Sequence, residues 1–296
     1  IKTGFLTLDA LLSPGLQPGQ ITVPMAKSGN GKSLFIANIA QNTRDVPSVL
    51  ITLELTKEET AKRLQKIGRF YDAAATDDEI AASFPLLAMV DANKLGPDEF
   101  GVLMEEYVEE YGERPRLVYV DYLGYYSRGQ RGKDQYERTT NAVMHLKEMA
   151  KEHQLHIICP SQVNRGVKEG EPIGMDALRD SGAVEETADF ALGIYRPHAA
   201  VGAAAQPGAV GADLKVNIPK SRHGNTGRVV TLALGPFSLA IVDGSDRTNA
   251  TRIAQEVEAY NRGERYEDYI ARRQESAWKA RQGALIGKDT DRADAR

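Results

Sequence analysis

Ala26-Lys-Ser-Gly-Asn-Gly-Lys-Ser33 follows a short apolar run, Gln20–Pro24, and opens an amphipathic segment, Ser33–Asn42. The stretch matches the phosphate-binding pattern G-x-x-x-x-G-K-S/T, with Ala26 in place of the first Gly. A strand before the loop and a helix after it are the context in which this pattern forms a phosphate cradle. The stretch therefore decides the fold class, because it predicts the strand–loop–helix unit of a P-loop protein.

The residues of this loop suit a nucleoside triphosphate. Gly29 and Gly31 let the backbone curl so that successive N–H groups face phosphate oxygens, and Lys32 supplies a cation for the β- and γ-phosphates. The Ser33 hydroxyl can coordinate Mg²⁺, and the N-terminus of the following helix attracts the same anion. The predicted nucleotide contacts are Ser28, Gly29, Asn30, Gly31, Lys32, Ser33 and Leu34.

Two carboxylates end predicted strands on the side of the sheet where ligands of parallel sheets bind. Asp121 follows the run Arg116–Val120, where it can hold the Mg²⁺ shell together with Ser33; an Asp that only caps a turn is the alternative. Glu54 follows Val49–Leu53 and can orient and deprotonate an attacking water. From the residues alone, this catalytic role and an ordinary surface carboxylate are equally supported for Glu54.

Short β-branched runs alternate with amphipathic stretches over residues 1–244, which is typical of βαβ units and a parallel sheet. Strands are predicted at Gln20–Pro24, Val49–Leu53, Leu86–Val90, Arg116–Val120, His156–Cys159 and Phe190–Tyr195, then at Asp213–Ile218, Val229–Leu234 and Ser238–Val242. Helices are predicted at Ser33–Asn42, Lys57–Phe70, Asp98–Tyr111 and Gln135–His153, the second of them preceded by the capping box Thr56-x-x-Glu59. We predict an α/β fold with a mostly parallel central sheet, C-terminal antiparallel strands and a helical tail.

Two segments lie outside the alternating pattern. Residues 197–212 are rich in Ala, Gly and Pro without periodicity, which predicts a mobile loop. From Ser245 to Arg296, 21 of 52 residues are charged, and Ile253 and Val257 stand at helical spacing. We therefore predict one domain at 1–244 and a charged tail of exposed helices at 245–296, with a disordered end.

The composition is that of a globular protein. The chain has 296 residues, a net charge of −4 and one cysteine, which argues against a disulfide scaffold and against indiscriminate coating of nucleic acid. Its longest uncharged stretch, residues 197–212, is interrupted by Pro and Gly, so we expect no membrane span. A signal-peptide pattern is absent from the N-terminal residues, and we expect a cytoplasmic protein.

Several blocks in sequence order resemble the RecA-like motor domain of DnaB-type hexameric replicative DNA helicases, a family with phage-encoded members. Besides the P-loop they are Thr3-Gly4-Phe5 with Leu8-Asp9, Leu53-Glu54-Leu55, Asp121-Tyr122-Leu123, Leu146-Lys147 with Ala150-Lys151, Ser161-Gln162-Val163-Asn164-Arg165, Leu178-Arg179-Asp180-Ser181-Gly182-Ala183-Val184-Glu185, Ala188-Asp189 with Tyr195-Arg196, and Lys220-Ser221-Arg222-His223-Gly224-Asn225-Thr226-Gly227. The resemblance covers residues 1–242 and implies a RecA-like P-loop NTPase core. The family usually carries an N-terminal helical domain as well, and the sequence leaves open a fragment or a motor-only variant.

The resemblance implies catalytic roles at matching positions. Glu54 is implied as the catalytic base beside Lys32, and Gln162 as the residue that senses the γ-phosphate and relays its state to a DNA loop. Lys220 and Arg222 resemble the pair that reaches into the nucleotide of a neighbouring subunit, with Arg222 as an arginine finger. Two solvated basic residues on a hairpin are the alternative.

Two loops, residues 125–136 and 164–182, are candidates for contact with single-stranded DNA, because basic side chains among glycines neutralise phosphates without reading the sequence. Their predicted DNA-binding residues are Arg128, Arg131 and Lys133 in the first loop, and Arg165, Lys168, Arg179, Asp180 and Gly182 in the second. The last three are implied by the resemblance, although the family has Glu where Asp180 stands. For each loop, a solvated surface loop is the alternative.

The function implied by the resemblance is an ATP-driven, Mg²⁺-dependent, ring-forming replicative DNA helicase that translocates 5′–3′ on single-stranded DNA and hydrolyses ATP at subunit interfaces. Its implied partners are single-stranded DNA, further copies of the chain in a hexamer, a primase and a helicase loader, in the cytoplasm of a bacterium or of a phage host. Two alternatives stay open. One is a RecA-family DNA-dependent ATPase without unwinding activity, recombinase-like or an assembly factor. The other is a module that uses ATP only to hold an oligomer together.

Overall fold

Ten strands form one sheet in the part of the chain that the structure, a computed structural model, describes: residues 1–92, 95–164, 166–178, 182–197 and 213–293. The strands are β1 (Ile21–Ala26), β2 (Ser48–Thr52), β3 (Leu87–Asp91), β4 (Leu117–Asp121), β5 (His156–Ile158), β6 (Ser161–Gln162), β7 (Phe190–Tyr195), β8 (Asp213–Ser221), β9 (Val229–Leu234) and β10 (Ile241–Asp243). Six strands, in the order β3-β2-β4-β5-β1-β7, are parallel, and β8, β9 and β10 continue from β7 as antiparallel neighbours. The predicted fold class is confirmed.

Helices cover both faces of the sheet. They are α1 (Leu6–Leu11), α2 (Lys32–Asn42), α3 (Lys57–Tyr71), α4 (Asp77–Ala82), α5 (Pro97–Tyr111), α6 (Leu123–Tyr126), α7 (Gln135–Glu152), α8 (Gly182–Thr187), α9 (Arg247–Asn261) and α10 (Tyr266–Ala293). Leu146 of α7 packs in one core cluster with Val118 of β4, whereas Phe35 of α2 packs in another with Leu117, since successive strand residues face opposite sides. Strands β1, β2, β4 and β7 are therefore buried along their whole length. None of the helices described here is long and apolar enough to cross a bilayer.

Some elements differ from the sequence prediction. The pattern does not predict α1, α4 or the two-residue strand β6, because such short elements show no periodicity. The strand predicted at Ser238–Val242 begins only at Ile241, since Ser238 N donates to the Glu256 carboxylate and Leu239 has a φ of 61°. Apart from Pro197, the predicted mobile loop at 197–212 lies outside the described residues.

The charged tail begins with a helix that packs against the antiparallel edge of the sheet. Ile253 of α9 packs with Phe70 of α3 and Val242 of β10. Glu256 is fully buried, and its Oε1 accepts hydrogen bonds from Phe237 N at 2.5 Å and from Ser238 N at 2.6 Å. Burial raises the pKa of this carboxyl, while the hydrogen bonds lower it. Helix α9 is therefore only partly exposed, although its charged composition predicts an exposed helix.

Replacing Glu256 with Ala should lower the free energy of unfolding by about 2–3 kcal/mol, because two buried backbone N–H groups would lose their acceptor. The matched control is Glu258→Ala on the same helix, where the side chain is exposed and lies 3.6 Å from Arg262. That change should cost less than about 0.5 kcal/mol. Urea denaturation of both variants measures the difference, and equal losses would contradict an anchoring role for Glu256.

Candidate nucleotide site and nucleic-acid interface

The loop between β1 and α2 has the backbone shape that a phosphate requires. Gly29 and Gly31 have φ values of 80° and 89°, in the left-handed region that other residues rarely adopt. A Cβ atom at Gly29 would meet nothing within 4 Å, so glycine is needed for the backbone conformation and not for lack of room. The loop therefore curls beside open space.

Helix α2 begins at this open space. Gly31 is its N-cap, and no described side chain caps its first turn. The backbone N–H groups of that turn are therefore available to an anion, and the helix dipole adds partial positive charge. The predicted nucleotide contacts, residues 28–34, all lie in the loop or in this first turn.

Two oxygen ligands meet where β4 ends beside α2. Ser33 Oγ donates a hydrogen bond of 3.0 Å to Asp121 Oδ1. Leu53 N donates to Asp121 O at 3.0 Å and so joins the ends of β2 and β4. Burial raises the pKa of the Asp121 carboxyl, and the Ser33 hydrogen bond lowers it. A hydroxyl and a carboxylate are the hard oxygen ligands that Mg²⁺ takes in phosphate sites, so this pair fits the predicted metal.

Lys32 directly precedes Ser33 and supplies positive charge beside this pair. Lys32 is 8% exposed. Burial lowers the pKa of its ammonium, while the charges of Glu54 and Asp121 raise it. Its Nζ lies 5.5 Å from the centre of the Tyr122 ring. Nearby negative charge stabilises a buried ammonium, and a triphosphate in the loop would supply more of it.

A cavity of about 320 Å³ lies between the P-loop and four other parts of the chain. It is lined by Ser28, Gly29, Gly31, Lys32, Ser33, Leu34, Glu54, Leu55, Arg63, Gln162 and Leu239. The structure thus brings the predicted catalytic residues Glu54 and Gln162 to the same cavity as Lys32. Glu54 is exposed to solvent just beyond the end of β2, so water reaches its carboxylate.

Arg63 is a residue of the cavity that the sequence motifs do not reveal. It lies on α3, and its charge lowers the pKa of Asp121. The signal in the sequence is weak: Arg63 stands three residues after Thr60 and four before Ile67, on a helix face that is otherwise buried. A second cation, besides Lys32, therefore acts on Asp121.

Gln162 connects the nucleotide cavity to a neighbouring groove. Its strand β6 pairs with the end of β1, where Gln162 is level with Ala26 and Val163 N donates to Ala26 O at 3.1 Å. Gln162 also lines a groove of about 640 Å³, together with Arg128 and Asn164 from the two candidate DNA loops. One side chain thus borders both spaces.

The basic residues of the first candidate DNA loop lie on a backbone that is hydrogen-bonded to α7. The guanidinium carbon of Arg128 lies 3.9 Å from the centre of the Tyr125 ring. Arg131 and Lys133 are exposed, and Lys133 N donates a hydrogen bond of 2.8 Å to Glu137 Oε2. All three predicted cations of this loop are therefore accessible to a phosphate backbone.

The second candidate DNA loop contacts the P-loop. Lys27 Nζ donates a hydrogen bond of 2.9 Å to Val167 O. Lys168 is exposed, and its Nζ lies 3.7 Å from Glu171 Oε1. Gly182 begins α8. Three further predicted residues lie outside the described part of the chain: Arg165, Arg179 and Asp180.

Lys220 and Arg222 lie at the opposite end of the sheet. Ser221, between them, is level with Phe190 at the start of β7, and Phe190 is level with Thr22 near the start of β1. The P-loop begins beyond the other end of β1, roughly 15 Å away at about 3.3 Å per residue. The structure therefore does not bring this pair to the nucleotide cavity of its own chain.

A phosphate loop that leaves the central parallel strand β1, with the Asp121 carboxylate at the end of β4 one strand beyond β5, gives this chain the P-loop fold of the RecA-like type. A family model described as the DnaB-like helicase C-terminal domain matches residues 1–75 and 74–238. The chain belongs to this family, and the resemblance read from the sequence motifs is confirmed.

Two relatives described as replicative DNA helicase DnaB illustrate the likeness. The protein of Pasteurella multocida (strain Pm70) is 27% identical over 260 residues, which cover 80% of this chain and 54% of the relative. That of Leifsonia xyli subsp. xyli (strain CTCB07) is 28% identical over 258 residues, which cover 80% and 55%. The chain thus spans about half the length of the curated relatives it matches.

Two solved structures share the fold. One is a DnaB-like replicative helicase described with its interactions with primase, at a TM-score of 0.69 and 22% identity over 82% of this chain and 61% of that chain. The other is described as an ATPase domain, at a TM-score of 0.68 and 23% identity over 82% of this chain and 90% of that chain. At these identities the likeness establishes the RecA-like fold.

Proposed function

We propose that this chain is the motor of an ATP-driven, ring-forming replicative DNA helicase that translocates on single-stranded DNA and unwinds duplex. The observation that carries the proposal is the cavity at the P-loop, which is lined by Lys32, Ser33 and the exposed Glu54, with Asp121 hydrogen-bonded to Ser33. Many kinds of P-loop NTPase share such a cavity. Membership of the DnaB-like helicase C-terminal domain family favours a helicase over the other kinds.

In this proposal the cavity hydrolyses ATP. The N–H groups of the P-loop and the ammonium of Lys32 hold the phosphates. Ser33 and Asp121 would hold Mg²⁺, which neutralises charge on the β- and γ-phosphates when bound. Glu54 orients the attacking water and accepts its proton. Gln162 lines the same cavity and distinguishes a γ-phosphate from its absence.

Completion of the site requires a second copy of the chain. Lys220 and Arg222 lie at the far end of the sheet from their own P-loop, so they serve a nucleotide bound by a neighbour. In such an interface the finger of one copy meets the nucleotide of the next, so the interface is head-to-tail. Head-to-tail interfaces form a ring when the rotation from one copy to the next adds up to a full turn. A hexamer is the ring that the family suggests.

Single-stranded DNA is the nucleic acid along which we propose that the motor translocates. Arg128, Arg131 and Lys133 project from the loop after β4, and Lys168 from the loop after β6, at the same end of the sheet as the nucleotide. Gln162 borders both the nucleotide cavity and the groove beside these loops, which suits a relay between them. A ring gathers the basic loops of all its copies at one axis, so a positive channel is compatible with a net charge of −4 per chain. A primase and a loader are the further partners proposed.

Forked DNA duplexes test the proposal. With ATP and Mg²⁺, we expect unwinding of a fork with a 5′ single-stranded tail and none of a fork with only a 3′ tail. Lys32→Ala should abolish unwinding by removing the phosphate cation, and Lys62→Ala, at an exposed position of α3, should not. DNA-stimulated hydrolysis without unwinding of either fork would favour a RecA-family ATPase that is not a helicase. Nucleotide binding without hydrolysis would favour the binding module.

A further inference from the structure

Asp189 lies where the hairpin between β8 and β9 meets the parallel sheet. It stands between α8 and β7, and its side chain is completely buried. Its Oδ2 accepts hydrogen bonds from Ile21 N at 2.8 Å and from Lys147 Nζ on α7 at 2.5 Å. Lys147 Nζ also donates to Gly19 O at 2.8 Å. One oxygen of the carboxylate is therefore fixed by the body of the protein.

The other oxygen faces Arg222. Arg222 Nε lies 3.0 Å from Asp189 Oδ1, although the geometry is not that of a hydrogen bond and no described group donates one to Oδ1. Arg222 N donates a hydrogen bond of 2.9 Å to Asp189 O. Asp189 thus contacts both the backbone and the side chain of Arg222. The Arg222 side chain is still 55% exposed. The carboxylate faces Nε, so the terminal nitrogens of the guanidinium can bind another ligand.

Asp189 faces three cations near the base of the hairpin. Lys147, Lys220 and Arg222 lie around this carboxylate, and the charges of Glu185 and Glu186 also act on Lys220. Lys220 Nζ donates its hydrogen bonds to two carbonyl oxygens near the end of α8, and so leaves Asp189 to the other two cations. Because Lys147 already offsets the charge of the Asp189 carboxylate, Asp189 can hold Arg222 in place while the charge of Arg222 stays available to a phosphate.

We propose that Asp189 is the positioning residue of the arginine finger: it orients Arg222 through Nε so that the terminal nitrogens reach the nucleotide of the neighbouring copy. This inference rests on the proposed role of Arg222. A finger acts at full strength only when it is in place before the transition state, since a displacement of about 1 Å in a catalytic group can cost about 10²-fold in rate. An unanchored arginine would also lose side-chain entropy on each engagement.

Mixed oligomers separate a positioning role from a purely structural one. One subunit carries Lys32→Ala, so it hydrolyses nothing but still offers its finger. The other carries Arg222→Ala, so it offers a nucleotide site without a finger. Mixing the two should restore hydrolysis at interfaces where an intact site meets an intact finger. Asp189→Asn is then added to either subunit in turn.

In the finger-donating subunit, Asp189→Asn should lower the restored kcat about 10- to 100-fold at an unchanged KM for ATP. In the Arg222→Ala subunit the same change should leave the restored rate within about twofold, because no finger is there to be oriented. Equal effects in both subunits, or none in either, would overturn the proposal. Failure of the first mixture to restore hydrolysis, with Asp189 intact, would instead overturn the proposed role of Arg222.

Two further variants serve as controls for this test. Asp189→Asn leaves the ammonium of Lys147 without its charged partner, so Lys147→Met/Asp189→Asn, which removes both buried charges, is made in parallel. It should show the same dependence on the subunit that carries it. Asp213→Asn, at the other end of β8, changes an exposed carboxylate that lies 3.7 Å from Lys215. It should be without effect in either subunit.

Discussion

Replacing Glu54 with Gln should lower the kcat for ATP hydrolysis about 10²- to 10⁴-fold while leaving the binding of Mg²⁺-ATP intact. The amide keeps the shape of the side chain but cannot accept the proton of the attacking water. Glu54 is also one of two carboxylates whose charge acts on Lys32, so its neutralisation reduces repulsion of the phosphates. The affinity for ATP should therefore be equal or tighter. Single-turnover hydrolysis and equilibrium binding of a fluorescent ATP analogue measure the two effects.

The matched control is Glu58→Gln in the first turn of α3. Glu58 is exposed and is not among the residues that line the nucleotide cavity, and its replacement removes the same charge a few residues away. This variant should hydrolyse ATP at the rate of the unaltered protein. Full activity of Glu54→Gln, or a loss of binding that parallels its loss of rate, would make Glu54 an ordinary surface carboxylate.

The phosphate loop could be predicted from the sequence because contiguous residues build it. The left-handed backbone at Gly29 and Gly31 follows from where the glycines stand. The helix start predicted at Thr56 is confirmed for the same reason: Thr56 Oγ1 accepts from Glu59 N at 3.2 Å, and Glu59 Oε2 accepts from Thr56 N at 2.9 Å. Both features involve residues at most a few positions apart, and tertiary packing does not alter them.

Contacts between distant segments could not be predicted in this way. Arg63 reaches the cavity because α3 packs against α2, the helix that follows the P-loop, and hydrophobic spacing does not encode that placement. Glu256 is buried in a segment whose average composition is highly charged, so a single inward carboxylate is hidden in the sequence. The approach of Arg222 to Asp189 depends on the register between β7 and β8. A resemblance to a family supplies roles for such residues, but the partners that hold them are visible only in the fold.

Replacing Arg222 with Ala should lower the kcat of the pure variant by about 10³- to 10⁵-fold, although Arg222 lies at the far end of the sheet from its own P-loop. The loss arises at each interface, where the neighbouring nucleotide no longer meets a positive charge as negative charge develops. Binding of ATP should persist, because the P-loop is untouched. The fold should persist as well, because Asp189 keeps its bonds to Lys147 and Ile21, so its buried carboxylate still has a charged partner when Arg222 is removed.

Arg228→Ala supplies the control, because Arg228 is an exposed arginine on the same hairpin and its loss should leave hydrolysis unchanged. Protein concentration supplies a second readout. If the finger acts between copies, hydrolysis per chain should rise with concentration until the oligomer is saturated, and Arg222→Ala should stay low throughout. Unaltered hydrolysis by Arg222→Ala, or a rate per chain that stays constant down to the monomer, would place the whole of catalysis within one chain. Lys220 and Arg222 would then be two solvated cations on a hairpin.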